Sequence, residues 1–198
     1  MNWVQRFNTF CFLDNHQYHI EPHTQECIAG AGIKRKLLAG AGDALDQLQR
    51  FIDEKRSWLF GHLSYDLKNE QEESFSLHPD NIQFPDLFFF EPAIIIRLNE
   101  KEMIIDADEP AEIFEAITSY AVPSAITKKE STPFIQNRIQ KEEYLSIIRR
   151  LQKHILLGDC YEINFCQEFY AEQVEIDPVL VYKKLAHILP ILFPLCTG

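Results

Sequence analysis

The sequence predicts an α+β fold, with mostly antiparallel sheet layers and helices around them. Short apolar runs bounded by glycine, proline or polar turns recur at residues 10–13, 58–63 and 87–98. Helical spacing is confined to a few separate stretches, at about 43–54, 109–120 and 141–157. Those stretches do not alternate one-for-one with strands, as a parallel βαβ sheet would require.

The elements follow in chain order. Residues 10–13 read as a short buried strand, closed by a polar turn at Asp14-Asn15-His16. Ala29-Gly30-Ala31-Gly32 and Ala39-Gly40-Ala41-Gly42 bracket a basic strand, so their glycines are expected at bulges or close backbone approaches. The helix from Asp43 to about Glu54 turns Leu45, Leu48 and Phe51 or Ile52 inward. Residues 58–63 form a strand with Gly61 in its middle, running into a helical turn at 64–67. Residues 69–83 are polar and acidic, and are expected as a loop. Residues 87–98 read as one or two strands broken at Glu91-Pro92, with 103–105 as a hairpin partner through the turn Asn99-Glu100-Lys101. The run of phenylalanines at 88–90 reads as sheet interior. Pro110 suits the first turn of the next helix, and residues 121–139 read as a connection. Along 141–157, Tyr144, Ile147, Ile148, Leu151 and Ile155 share one face, and Gly158 is the expected stop. Residues 161–170 alternate as a strand. Tyr161, Ile163, Phe165, Gln167 and Phe169 face one way, and Glu162, Asn164, Cys166 and Glu168 the other. Asp177-Pro178 then opens a last helix.

Composition removes several function classes. The chain has 198 residues, enough to bury a substantial core. A formal net charge of −11 argues against general binding to a nucleic-acid backbone, which needs gathered cations. The tight basic cluster Lys34-Arg35-Lys36 reads as a solvated strand end. No apolar run reaches the ~18 residues of a membrane helix, and the start lacks the order of a signal peptide. Five cysteines without a Cys-x-x-Cys spacing fit reduced thiols and a cytoplasmic location.

Local motifs are mostly structural on inspection. Neither glycine pair completes Gly-x-Gly-x-x-Gly, although Gly40-Ala41-Gly42 does precede a helix. His16, His19, His23 and Cys27 have metal-ligand chemistry, but Pro22 interrupts the helix that would align them, and no metal site is expected. Ser64-Tyr65-Asp66 reads as a helix start with a packed tyrosine rather than a catalytic triplet. Cys160 and Cys166 read as small packed residues rather than nucleophiles.

Four blocks in order carry a resemblance. They are Phe12-Leu13-Asp14; residues 58–67 (WLFGHLSYDL); Phe84-Pro85-Asp86-Leu87 leading to Pro92; and Tyr144 through Phe169, with Ile155-x-x-Gly158-Asp159 and Tyr161-x-x-Asn164-x-x-Gln167-x-Phe169. Together they resemble the N-terminal half of aminodeoxychorismate synthase component I, a branch of the chorismate-utilising enzymes related to anthranilate synthase component I. The resemblance implies the N-terminal part of that fold. It also implies a parent reaction, the Mg²⁺-dependent amination of chorismate to 4-amino-4-deoxychorismate for 4-aminobenzoate and folate synthesis. Ammonia would come from a glutamine amidotransferase subunit. Asn164 falls where the family places a substrate-site asparagine. Leu13, Asp14 and Asn15 stand where the family builds a tryptophan pocket, typically on a Leu-Glu-Ser segment.

The family's catalytic lysine, Mg²⁺-binding glutamates and acid/base residues lie in a C-terminal half whose motifs do not occur in this chain. No complete catalytic set and no bound metal are therefore expected, and the chain alone is expected to be inactive. Residues 1–188 are expected to be the family portion. Residues 189–198 are expected to be a non-family tail, open to a frame-shifted reading in which a Pro-Ala-Asn-Pro-Phe-Ser-like segment returns. Apolar surface left uncovered is expected to favour self-association. The alternatives are a non-catalytic interaction or aromatic-ligand-binding domain on the same scaffold, or the N-terminal half of an anthranilate or isochorismate synthase.

Overall fold

A computed structural model describes residues 2–15, 25–72, 80–121 and 133–188, together with the backbone of 195–197. The three-histidine cluster at 16–23 lies outside the described residues, as do 73–79 of the expected loop, 122–132 of the expected connection and 189–194 of the tail. The chain divides into two compact units, residues 1–122 with 178–198, and residues 123–177.

The first unit holds two antiparallel sheets. Strands β1 (Phe10–Asp14) and β2 (Cys27–Ala31) are followed by β3 (Arg35–Ala39), helix α1 (Ala44–Glu54) and strands β4 (Phe60–Leu63), β5 (Leu87–Glu91), β6 (Ile94–Leu98) and β7 (Met103–Asp106). Helix α2 spans Pro110–Thr118. In the second unit lie β8 (Gln136–Asn137), α3 (Lys141–Leu157) and β9 (Phe169–Tyr170). Helix α4 (Pro178–Ile188) and β10 (Leu195–Thr197) return to the first. One sheet has the order β10-β1-β2-β6-β7 and the other β3-β5-β4. The chain thus leaves the larger sheet after β2, builds the smaller one, and comes back to pair β6 against β2.

Strand alternation explains how these sheets stack. Phe10, Phe12, Ala29, Ala31, Ile94 and Ile96 face one side of the larger sheet, where Ile113, Ala116, Ile117 and Tyr120 of the α2 region cover them. Cys11 and Ile95 face the other side and meet Phe60 and Phe90 of the smaller sheet. Leu87 and Phe89, one residue out of phase with Phe88 and Phe90, point to Ala44, Leu45 and Leu48 of α1. The result is a helix–sheet–sheet–helix stack in which successive phenylalanines serve two different cores. Gly30 is needed at this contact, because a Cβ there would lie 3.0 Å from the Phe60 ring.

Glycine at Gly40 and Gly42 serves a turn rather than a phosphate. The backbone N–H groups of Gly42 and Ala44 donate to Glu70 Oε1 at 2.9 and 2.6 Å, and Ala41 N–H donates to Asp86 Oδ2 at 2.9 Å. The anion-seeking end of α1 is filled by the protein's own carboxylate. Replacing Glu70 with alanine should lower stability by about 1 kcal/mol, the cost typical of a lost helix cap. A thermal melt that does not move would show that Glu70 is idle. The Glu70 side chain comes from a 3₁₀ turn at Tyr65–Glu70, whose start Ser64 caps by accepting from Asp66 N–H at 3.2 Å. Ser64 starts the turn as expected, but Tyr65 is 84% exposed and not packed as the sequence suggested.

Two further expectations need correction. Arg35 is no solvated strand end. Its guanidinium donates to Glu91 Oε2 at 2.7 Å and to the carbonyls of Phe51 and Lys55 at 2.7 and 2.6 Å, and lies 4.0 Å over the Phe51 ring. Only Lys34 and Lys36 beside it are exposed. Glu91 is 5% exposed and also accepts from Lys55 Nζ at 2.6 Å. Those hydrogen bonds, from Lys55 first and then Arg35, hold its carboxyl down at about 2 against an ordinary 4.5.

The second correction concerns the strand expected over 161–170. Only Phe169–Tyr170 pair, with Asn137 and Gln136, and residues 161–168 make no ladder among the described residues. The alternating pattern chooses faces but supplies no partner strand.

Candidate functional site

The segment after α3 is built from its helix end. Gly158 takes φ +82°, and its N–H and that of Asp159 donate to the carbonyls of Ile155 and His154, both at 3.1 Å. This left-handed stop turns the chain out of the helix. Asp159 Oδ2 then lies 2.6 Å from His154 Nδ1, tying the first residue beyond the stop back to the last helical turn. Further on, Phe165 packs on Tyr144 with ring centroids 5.3 Å apart. Arg138 closes the segment, donating to Glu168 at 2.8 Å and lying 4.1 Å over the Tyr170 ring. That hydrogen bond lowers the Glu168 carboxyl and raises the guanidinium.

Asn164 sits midway along this unpaired segment and is exposed. It does not occupy a regular strand face, since the run is unpaired. Cys166 is exposed as well, so its expected packed role is not met. Cys160 is half-buried, and no disulfide joins the described cysteines.

Leu13, Asp14 and Asn15 lie together at the end of β1 in the other unit. Leu13 packs toward the contact between the two sheets. Asn15 is buried, donates from its side-chain amide to Glu26 Oε2 at 2.7 Å, and donates its backbone N–H to the Glu26 carbonyl at 2.9 Å. The neighbouring Cys27 thiol is pushed up, chiefly by burial.

The remaining blocks fold against one another. Ser64 Oγ donates to Asp86 Oδ1 at 3.0 Å, its N–H donates to the Asp86 carbonyl at 2.7 Å, and the His62 ring stacks on Phe84 at 4.2 Å. His62 Nε2 is 3.0 Å from the Pro85 carbonyl. Residues 58–67 and 84–87 therefore form one structural knot. The sequence reading missed Glu70 and Glu91, whose only signal was an acidic residue beside a turn and another beside a proline.

The family described as chorismate binding enzyme matches residues 3–193. The chain belongs to that family.

Two relatives are similar to it. Aminodeoxychorismate synthase component 1 of Klebsiella aerogenes is 26% identical over 114 residues, covering 56% of this chain and 25% of the relative. Anthranilate synthase component 1 of Thermus thermophilus is 23% identical over 141 residues, covering 66% of this chain and 30% of the relative. Among solved structures, anthranilate synthase component I from Streptococcus pneumoniae TIGR4 matches with a TM-score of 0.65 and 17% identity. That match covers 88% of this chain and 48% of the solved one, and shows a shared fold. This member of the chorismate binding enzyme family thus spans less than half the length of each of these proteins. The described residues gather no group of three His, Cys, Asp or Glu side chains able to hold a metal ion. No helix among the described residues is long and apolar enough to cross a membrane.

Proposed function

We propose that this chain is the N-terminal portion of an aminodeoxychorismate synthase component I, a cytoplasmic transferase of 4-aminobenzoate and folate synthesis. The supporting observation is the run Tyr161-x-x-Asn164-x-x-Gln167-x-Phe169 inside a chain of the chorismate binding enzyme family, with Asn164 exposed to solvent. Asn164 would offer its side-chain amide to chorismate, as donor and acceptor together. A glutamine amidotransferase subunit would supply ammonia to the whole enzyme. The lysine, the glutamates and the Mg²⁺ of the parent reaction would come with the rest of the family fold. Similarity to the Thermus and Streptococcus proteins keeps anthranilate chemistry as a second reading.

The test has two parts. Chorismate titrated into the chain should release heat that the Asn164→Ala variant reduces at least tenfold in affinity. Absence of binding by the unsubstituted chain would sink the substrate-site assignment. With chorismate, ammonia and Mg²⁺, the chain alone should form no product. Appearance of 4-amino-4-deoxychorismate would show that catalytic groups are present after all, and anthranilate fluorescence would move the chain to the second reading.

A further inference from the structure

Asn164 has a seated neighbour. Residues 161–164 are exposed and so is Cys166, but Phe165 between them is half-buried. Its ring packs on that of Tyr144, with centroids 5.3 Å apart and planes at 35°. Tilted aromatic pairs at this separation attract by more than the area they bury.

Tyr144 stands on rigid ground. It is half-buried in the first turn of α3, where its N–H donates to the Gln140 carbonyl at 2.9 Å. Gly158 ends that helix about 20 Å further along the axis. The chain must therefore run back beside α3 to bring Phe165 to Tyr144. Both ends of this return are tied. At its start, Asp159 donates its N–H to the His154 carbonyl and sets its carboxylate 2.6 Å from His154 Nδ1. At its far end, Glu168 accepts from Arg138 through its side chain at 2.8 Å and its carbonyl at 3.0 Å. Phe165 is seated between those ties, directly after Asn164. An asparagine side chain is short, so the backbone at 164 decides where its amide is presented.

We propose that Tyr144 is a positioning residue for Asn164: its ring seats Phe165 and thereby fixes where the amide next to it faces solvent. The inference rests on the reading of Asn164 as a substrate-site residue. It assigns Tyr144 no contact with chorismate.

Nuclear magnetic resonance and calorimetry on the 198-residue chain test it together. Backbone order parameters at 163–166 should be near about 0.85 in the unsubstituted chain and in Tyr144→Phe, which keeps the ring. They should fall below about 0.6 in Tyr144→Ala and in Phe165→Ala, which removes the same contact from the other side. Alanine is a strong helix former, so residues 145–157 should stay rigid in every variant. Chorismate affinity should drop about tenfold in both alanine variants and be kept by Tyr144→Phe. The double alanine variant should bind no more weakly than either single one, because both remove one contact. Order parameters at 163–166 that stay high in both alanine variants would overturn the proposal. So would loosening of α3 along with the segment, or a loosened segment that binds chorismate as before. If the unsubstituted chain binds no chorismate, the substrate reading falls by itself, and the order parameters still decide whether Tyr144 places Asn164.

Discussion

Gly61→Ala should remove about 3 kcal/mol of stability, the upper end of the usual overpacking cost and a large share of a domain's total, because backbone must move. A Cβ at Gly61 would run into the backbone of the adjacent strand at Phe88, with Phe89 Cα 2.7 Å away. Those neighbours are main chain and cannot swing aside as a side chain would. They also carry Phe88 and Phe90, which fill the space between the sheets, and Phe89, which packs against α1, so any relief would disturb two cores at once. Gly40→Ala is the matched control, because its nearest neighbour is Asp86 Oδ2 at 3.7 Å. Urea denaturation should separate the two variants widely. Similar midpoints would mean that β4 and β5 do not approach as described.

Glu91→Gln should cost about 3 kcal/mol, because it removes the countercharge from Arg35 at a buried site. The Arg35 side chain is only 21% exposed and Glu91 only 7%, whereas Lys55 at 60% can turn to water and contributes less. The acid limb gives a sharper signature. Glu91 has its carboxyl lowered to about 2, so its contribution is fully present above the ordinary 4.5 and is lost as pH falls from 4.5 through about 2. Stability measured by urea between pH 5 and pH 2 should therefore fall more steeply for the unsubstituted chain than for Glu91→Gln. Parallel acid limbs would show that the carboxylate is not held by this pair of cations.

What could be read from sequence depended on how far each determinant lies from what it determines. Helix α3 was predicted at 141–157 and is found there, because its period and its Gly158 stop are local. The break at Glu91-Pro92 and the hairpin through Asn99 were also local, and Asn99 Oδ1 accepts from Lys101 and Glu102 N–H at 2.8 and 2.9 Å. Arg35 was misread because its main partner lies 56 residues away. Glu70, which caps α1 from 26 residues beyond Ala44, was invisible for the same reason. The strand expected over 161–168 failed differently. Alternation reports which side chains share a face, but hydrogen bonding needs a second chain segment that no local pattern contains. At the candidate site, the sequence placed Asn164 on the polar side of a strand, and the segment that carries it pairs with no strand among the described residues. The Asn15–Glu26 bond needed the β1–β2 register before it could be seen.

The larger sheet carries a consequence for the order of folding. Its centre joins β2 to β6 only after the smaller sheet and α1 have been threaded between them, and its edge joins β1 to β10 across almost the whole chain. Contacts so distant in sequence must overcome loop-closure entropy before they contribute any stabilisation, and chains dominated by them fold slowly. The hairpin β6–β7 and the pair β4–β5 close shorter loops and are suited to form earlier. On the ribosome, the outer edge of β1 stays without β10 until residues 195–197 have been made, so the apolar strand at the front of the chain has the longest wait for its partner.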